Sequence, residues 1–178
     1  MRFKLSLILL GLILLTNCER DDICSEDTQT TPKLIIRFYD IANPDEFKSV
    51  PQFYARGIGL ENPLGDYAGF SSNDSIALPL RTDMETTQYI LHKNYEIDDN
   101  DTPDDTSDDI ILGNQDIITI SYQNDYIYVS RACGYKAIYN NSQLNAEPDS
   151  DNWILLSQPV NTDQSIENEK AAHFKIWH

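Results

Sequence analysis

Seven aspartates crowd the twelve residues from Asp98 to Asp109. Calcium takes oxygen ligands at alternating positions of a loop, so Asp99, Asp101, Asp104 and Asp105 form the candidate calcium set. The stretch departs from a helix-flanked calcium loop in having no glycine for the sharp bend, Pro103 inside it and no closing glutamate. A run of like charges is ordinarily a solvated loop. An acidic loop over 98–109 is therefore the first expectation, with calcium as the chemistry it could do. The three histidines, His92, His173 and His178, fall in no metal-ligand spacing. Neither a nucleophile elbow nor a glycine-rich phosphate loop occurs. These residues predict a protein that is not an enzyme and carries no cofactor.

The three cysteines, at 18, 24 and 133, are more informative. Cys18 follows a charged start (Arg2, Lys4) and the apolar stretch 5–15, and the chain turns polar at Glu19. A basic start and an apolar run too short to span a bilayer are the pattern of a secretory signal. Leu15-Thr16-Asn17-Cys18 resembles a bacterial lipobox, departing from it at Asn17, where a small residue is usual. The resemblance implies a signal peptide over 1–17, acylation of Cys18 and a lipidated tether over 18–32. An ordinary cleaved signal peptide is the competing reading. Arg20-Asp21-Asp22 after Glu19 resembles the export tag of Bacteroidota lipoproteins, which implies an outer-membrane lipoprotein and leaves periplasmic or surface facing open.

Export divides the cysteines. With Cys18 acylated, Cys24 and Cys133 remain, and an oxidising compartment favours their pairing. The competing role for Cys133, a reactive nucleophile, finds no histidine near it in the sequence. Pairing leaves only Glu19 to Ile23 as free tether, a reach of at most ~17 Å, with the Cys24/Cys133 edge facing the lipid.

Composition narrows the partners. The formal net charge is −16, and loss of Arg2 and Lys4 with the signal takes it to −18. Without a basic stripe, such a chain repels nucleic acid, which is excluded as a partner. No second long apolar run follows, so the lipid on Cys18 is the expected membrane anchor.

What must position these residues is a set of short strands. Residues 33–39 alternate, with Leu34, Ile36 and Phe38 on one face, and 52–58, 75–80 and 86–91 follow between turn signals. Pro79 marks an edge strand or a bulge. Residues 117–122 and 126–131 read as a hairpin turning at Gln123-Asn124-Asp125. Strands at 135–139, 153–157 and 171–177 complete the set, the last built into a sheet. Eight or nine strands without an amphipathic helix predict an all-β, antiparallel two-sheet sandwich, immunoglobulin-like, over 33–178. Tyr126 and Tyr128 alternate with Ile127 and Val129 and are the candidate ligand-facing aromatics, the alternative being that tyrosines simply suit half-buried strands.

Four segments carry a wider resemblance: Cys18-Glu19-Arg20-Asp21-Asp22-Ile23-Cys24, residues 31–40, Val129-Ser130-Arg131-Ala132-Cys133-Gly134-Tyr135-Lys136 and Ala171-Ala172-His173. Together they resemble an uncharacterised family of Bacteroidota lipoproteins, a domain of unknown function. The resemblance implies an exported β-rich lipoprotein and brings no activity or site. The functional expectation is a binding module for an envelope protein or glycan, the alternative a structural accessory subunit of an outer-membrane complex.

Overall fold

A computed structural model describes residues 23–178; the expected signal peptide over 1–17, Cys18 and the segment Arg20-Asp21-Asp22 that resembles an export tag lie outside the described residues. Eight strands follow in order: β1 (Leu34–Tyr39), β2 (Tyr54–Gly57), β3 (Ser75–Leu78), β4 (Thr86–Asp98), β5 (Ile110–Ser130), β6 (Gly134–Ala146), β7 (Leu156–Pro159) and β8 (Phe174–Trp177). They form two four-stranded sheets, ordered β3-β1-β8-β7 and β2-β4-β5-β6. All pairings are antiparallel except β1 with β8, which is parallel in the register Ile36↔Phe174 to Tyr39↔Trp177. The predicted two-sheet sandwich is present. The parallel β1–β8 pair and the consecutive β4-β5-β6 meander leave its immunoglobulin-like character unspecified.

Alternation builds the core. Leu34, Ile36 and Phe38 of β1 are completely buried and meet Ile118 and Ile120 of β5 and Tyr139 of β6 in one apolar cluster with Phe174 and Ile176 of β8. Each such side chain contributes about 1.5–3 kcal/mol by leaving water. Pro79 ends β3, which is an edge strand as expected. The segment before β7 is tied across the core by Asp116: its carboxylate accepts the N–H groups of Trp153 (3.3 Å) and Ile154 (2.8 Å). Burial pushes the Asp116 carboxyl above its usual range, against the opposing pull of those two hydrogen bonds.

The predicted hairpin at 123–125 is corrected. β5 runs straight through those residues, which pair with β6 as Gln123↔Asn140, Asn124↔Tyr139 and Asp125↔Ile138. The polar side chains that suggested a turn are used elsewhere: Asn124 Nδ2 donates to the carbonyls of Met84 (2.8 Å) and Thr82 (3.2 Å). The real turn is Arg131-Ala132-Cys133, closed by Gly134 at φ 69°. The strands are also longer than predicted, because β4 and β5 continue past the core into the acidic loop, where their side chains are exposed on both faces.

Gly113 makes that extension possible. β4 carries a bulge between Lys93 and Glu96, and Gly113 lies opposite it on β5 with φ 96°. A Cβ there would stand 2.4 Å from the Asn94 carbonyl oxygen and 2.7 Å from that of Lys93. Both neighbours are backbone, so the strands themselves would have to part. Gly113→Ala is expected to cost roughly 2–4 kcal/mol, read as a lower urea midpoint; an unchanged midpoint would contradict the bulge geometry.

Candidate functional site

The chemistry-bearing residues fall at opposite ends of β5, whose 21 residues extend about 65 Å. At one end, the Arg131-Ala132-Cys133 turn carries a disulfide from Cys133 to Cys24, with Cα atoms 4.9 Å apart. Cys133 is therefore not a free nucleophile. From Cys24 the chain runs back beside β6: Ala137 N donates to Thr31 Oγ1 (3.0 Å) and Lys136 Nζ to Gln29 Oε1 (3.2 Å). This tip also shows its aromatic side chains. Tyr128 and Tyr135, opposite each other in register, meet edge to face with ring centres 5.3 Å apart. They are 57% and 68% exposed, and Ile127, on the opposite face of the hairpin, is 43% exposed.

Tyr126 and Tyr128 are thus both at the surface, but by a route alternation did not predict. They continue the face of Ile118, Ile120 and Tyr122, which point into the core, and become exposed because β5 outruns the opposing sheet. Tyr126 has a structural task besides. Its hydroxyl donates to Thr82 O (2.5 Å), Tyr122 to Arg81 O (2.9 Å), Tyr139 to Leu80 O (3.1 Å) and Tyr89 to Pro79 O. Four tyrosines of β4, β5 and β6 so hold four successive carbonyls of the chain leaving β3. Burial pushes the Tyr139 phenol up to about 12 and raises Tyr89 and Tyr122 as well, keeping the hydroxyls protonated as donors. Sequence reading missed this set. The available signal was Tyr122 on the apolar face of β5, since a buried tyrosine hydroxyl needs a partner.

At the far end, residues 98–109 join β4 to β5 with Asp98 opposite Ile110, so the acidic loop is the tip of a long hairpin. Its polar groups fold the loop on itself. Asp98 Oδ1 accepts the N–H of Asn100, Asp99 Oδ1 that of Asp101, and Asp105 Oδ1 both the N–H and the hydroxyl of Ser107. Thr102 Oγ1 donates to the Asp108 carboxylate. Asp99, Asp101, Asp104 and Asp105 are not brought together: among the described residues no group of three or more His, Cys, Asp or Glu converges as a metal-binding set. Exposed Ile97, Ile110, Ile111 and Leu112 give the base of this hairpin an apolar surface.

The histidines are buried and spent on the fold. His173 accepts the N–H of Ile35 at Nδ1 (2.9 Å) and faces the Asn168 carbonyl at Nε2 (2.9 Å), which makes it the neutral Nε2–H tautomer. It borders a groove of about 240 Å³ that also holds Asp163 and Ser165, with the serine hydroxyl 3.2 Å from the aspartate. The three residue types suggest a hydrolytic triad, but both imidazole nitrogens serve backbone groups, so His173 has no lone pair for Ser165. His178 presents Nδ1 to Lys93 Nζ (3.3 Å) and Nε2 to the Lys48 carbonyl (3.3 Å). His92 lies edge-on to Tyr54 and Tyr95, with Nδ1 buried and unpaired. Burial lowers all three below the ordinary imidazole value.

Fold and site together define a two-sheet β-sandwich whose N-terminal segment is stapled to a hairpin tip and whose opposite tip is an acidic loop. The chain belongs to the Family of unknown function (DUF6452), which matches residues 66–178. The match begins after β1 and β2, although β1 lies between β3 and β8, so the matched residues need the preceding ones to complete the sheet. Neither the curated proteins nor the solved structures include one that matches this chain.

Proposed function

We propose that this chain is an exported lipoprotein of the Bacteroidota type, acylated at Cys18 and held at the outer membrane, acting as a non-enzymatic binding module. The Cys24–Cys133 disulfide carries the proposal. Such bonds persist in oxidising compartments outside the cytoplasm, in agreement with the signal-like segment 1–17. The bridge also supports anchoring through a short tether, because Glu19 to Ile23 span at most ~17 Å between an acylated Cys18 and the domain. The long axis of β5 then directs the acidic loop away from the lipid. Exposed Ile97, Ile110, Ile111 and Leu112, rimmed by the aspartates of 98–109, favour a protein ligand with an apolar and basic surface over a glycan.

The test is Cys18→Ser. Native protein is expected in the membrane fraction of its cells, and the variant is expected to lose membrane association roughly tenfold or more, since no acyl chain can then be attached. Equal membrane association of the two forms would overturn the lipid anchor.

A further inference from the structure

We propose that the tip of the β5–β6 hairpin is a second membrane-contacting surface, seated in the headgroup region of the bilayer through Tyr128, Tyr135 and Ile127; this rests on the lipid-anchor reading above. The chain leaves the domain at this tip. The described residues begin at Ile23, and Cys24 is bonded to Cys133 within this tip, so the segment leading to Cys18 leaves from beside the aromatic cluster. Five tether residues of ~17 Å cannot carry the tip far from the lipid to which Cys18 would be joined.

The chemistry of the tip fits that position. Tyr128 and Tyr135 form an exposed edge-to-face pair on one face of the tip, and Ile127 is exposed on the other, so a tip that enters end-on buries all three. Tyrosine, with an apolar ring and a polar hydroxyl, is the side chain enriched where bilayer meets water. Between Tyr126 and Ala146 the only charged residues are Arg131 and Lys136, while Glu26 and Asp27 follow Cys24. With Asp125 and the tether residues Glu19, Arg20, Asp21 and Asp22 the disulfide end is mildly acidic, so charge gives it no attraction to lipid, but it lacks the dense repulsion of the seven aspartates at the opposite tip. Ring burial rather than charge therefore carries the contact, which should form on zwitterionic lipid. The two exposed surfaces of the long hairpins so have different occupants: lipid at the disulfide end, and a protein ligand at the acidic end.

Tryptophan as a depth reporter tests this. Protein purified from its own membranes and carrying Tyr128→Trp, and separately Tyr135→Trp in case one variant folds poorly, is reconstituted into phosphatidylcholine vesicles through its native N-terminus. The native Trp153 and Trp177 are buried and are subtracted with the parent protein. Brominated phosphatidylcholine is expected to quench emission at 128 or 135 about twofold and to leave Ile111→Trp unquenched. No quenching at 128 and 135, or equal quenching at 111, would overturn the contact. The intact mass of the same sample reports acylation of Cys18 independently. An acyl adduct without quenching removes the contact alone, and quenching without an adduct removes the lipid anchor alone.

Discussion

Acidification from pH 7 to pH 5 is expected to destabilise this protein by about 2 kcal/mol through His178. Its imidazole is 3% exposed, packed edge-on against Phe38 and Trp153, and faces Lys93 and Lys48 with Asp40 nearby. Burial lowers its pKa from 6.5 to about 4, opposed by the Lys48 carbonyl and assisted by the two ammonium groups. Between those values the unfolded chain binds a proton that the folded chain refuses, so stability is complete above pH 6.5 and is lost as pH falls toward 4. The whole window is on the order of 3 kcal/mol. His173 and His92 are lowered in the same direction, and a proton on His173 Nδ1 would displace the N–H of Ile35. Asp116 works in the opposite sense: its raised carboxyl takes up a proton in the fold before it does in the unfolded chain, offsetting part of the loss nearest pH 4. Urea midpoints across this range test the account, and His178→Gln should flatten the slope. Midpoints independent of pH between 7 and 5 would show that the imidazoles are not held neutral.

Loss of the disulfide should have a larger effect. Cys24 and Cys133 are 109 residues apart, and closing a loop of that length stabilises the fold by about 4–5 kcal/mol in the chain-entropy description. For a domain of this size that corresponds to a fall in Tm of roughly 10–15 °C for the Cys24→Ser/Cys133→Ser double variant. Reductant should lower the Tm of the native protein to the same level and leave the variant unchanged. The core should survive, because Leu34 to Ile176 close one cluster that neither cysteine enters. A native Tm insensitive to complete reduction would refute the staple.

Where the sequence was legible, alternation or cysteine arithmetic carried the information. Leu34, Ile36 and Phe38 are buried in the pattern their spacing predicts, and Cys24 pairs with Cys133 once Cys18 is set aside. The acidic loop over 98–109 also lies where its charges placed it. What could not be read was the destination of polar side chains in long strands. Gln123-Asn124-Asp125 resembles a turn in any local window, yet Asn124 is bound by carbonyls 40 and 42 residues earlier in the chain. Tyr126 seemed available to a ligand because nothing local reveals that Thr82 takes its hydroxyl. The parallel pairing that puts β8 between β1 and β7 is likewise a long-range choice, set by which apolar edges meet rather than by the four residues of the strand. His178 follows that strand directly, and its local sequence leaves open whether the imidazole is packed or faces solvent. The core built from Phe38 and Trp153 is what excludes water from it.

The proposed anchor ties the domain to a membrane at Cys18, beside the staple at Cys24. Intact mass of the protein purified from its own membranes, combined with thiol counting, tests both parts. The predicted result is a chain starting at Cys18, heavier by its acyl groups and without a free thiol after denaturation. A chain retaining residues 1–17, or an unmodified Cys18 with Cys24 and Cys133 reduced, would contradict it.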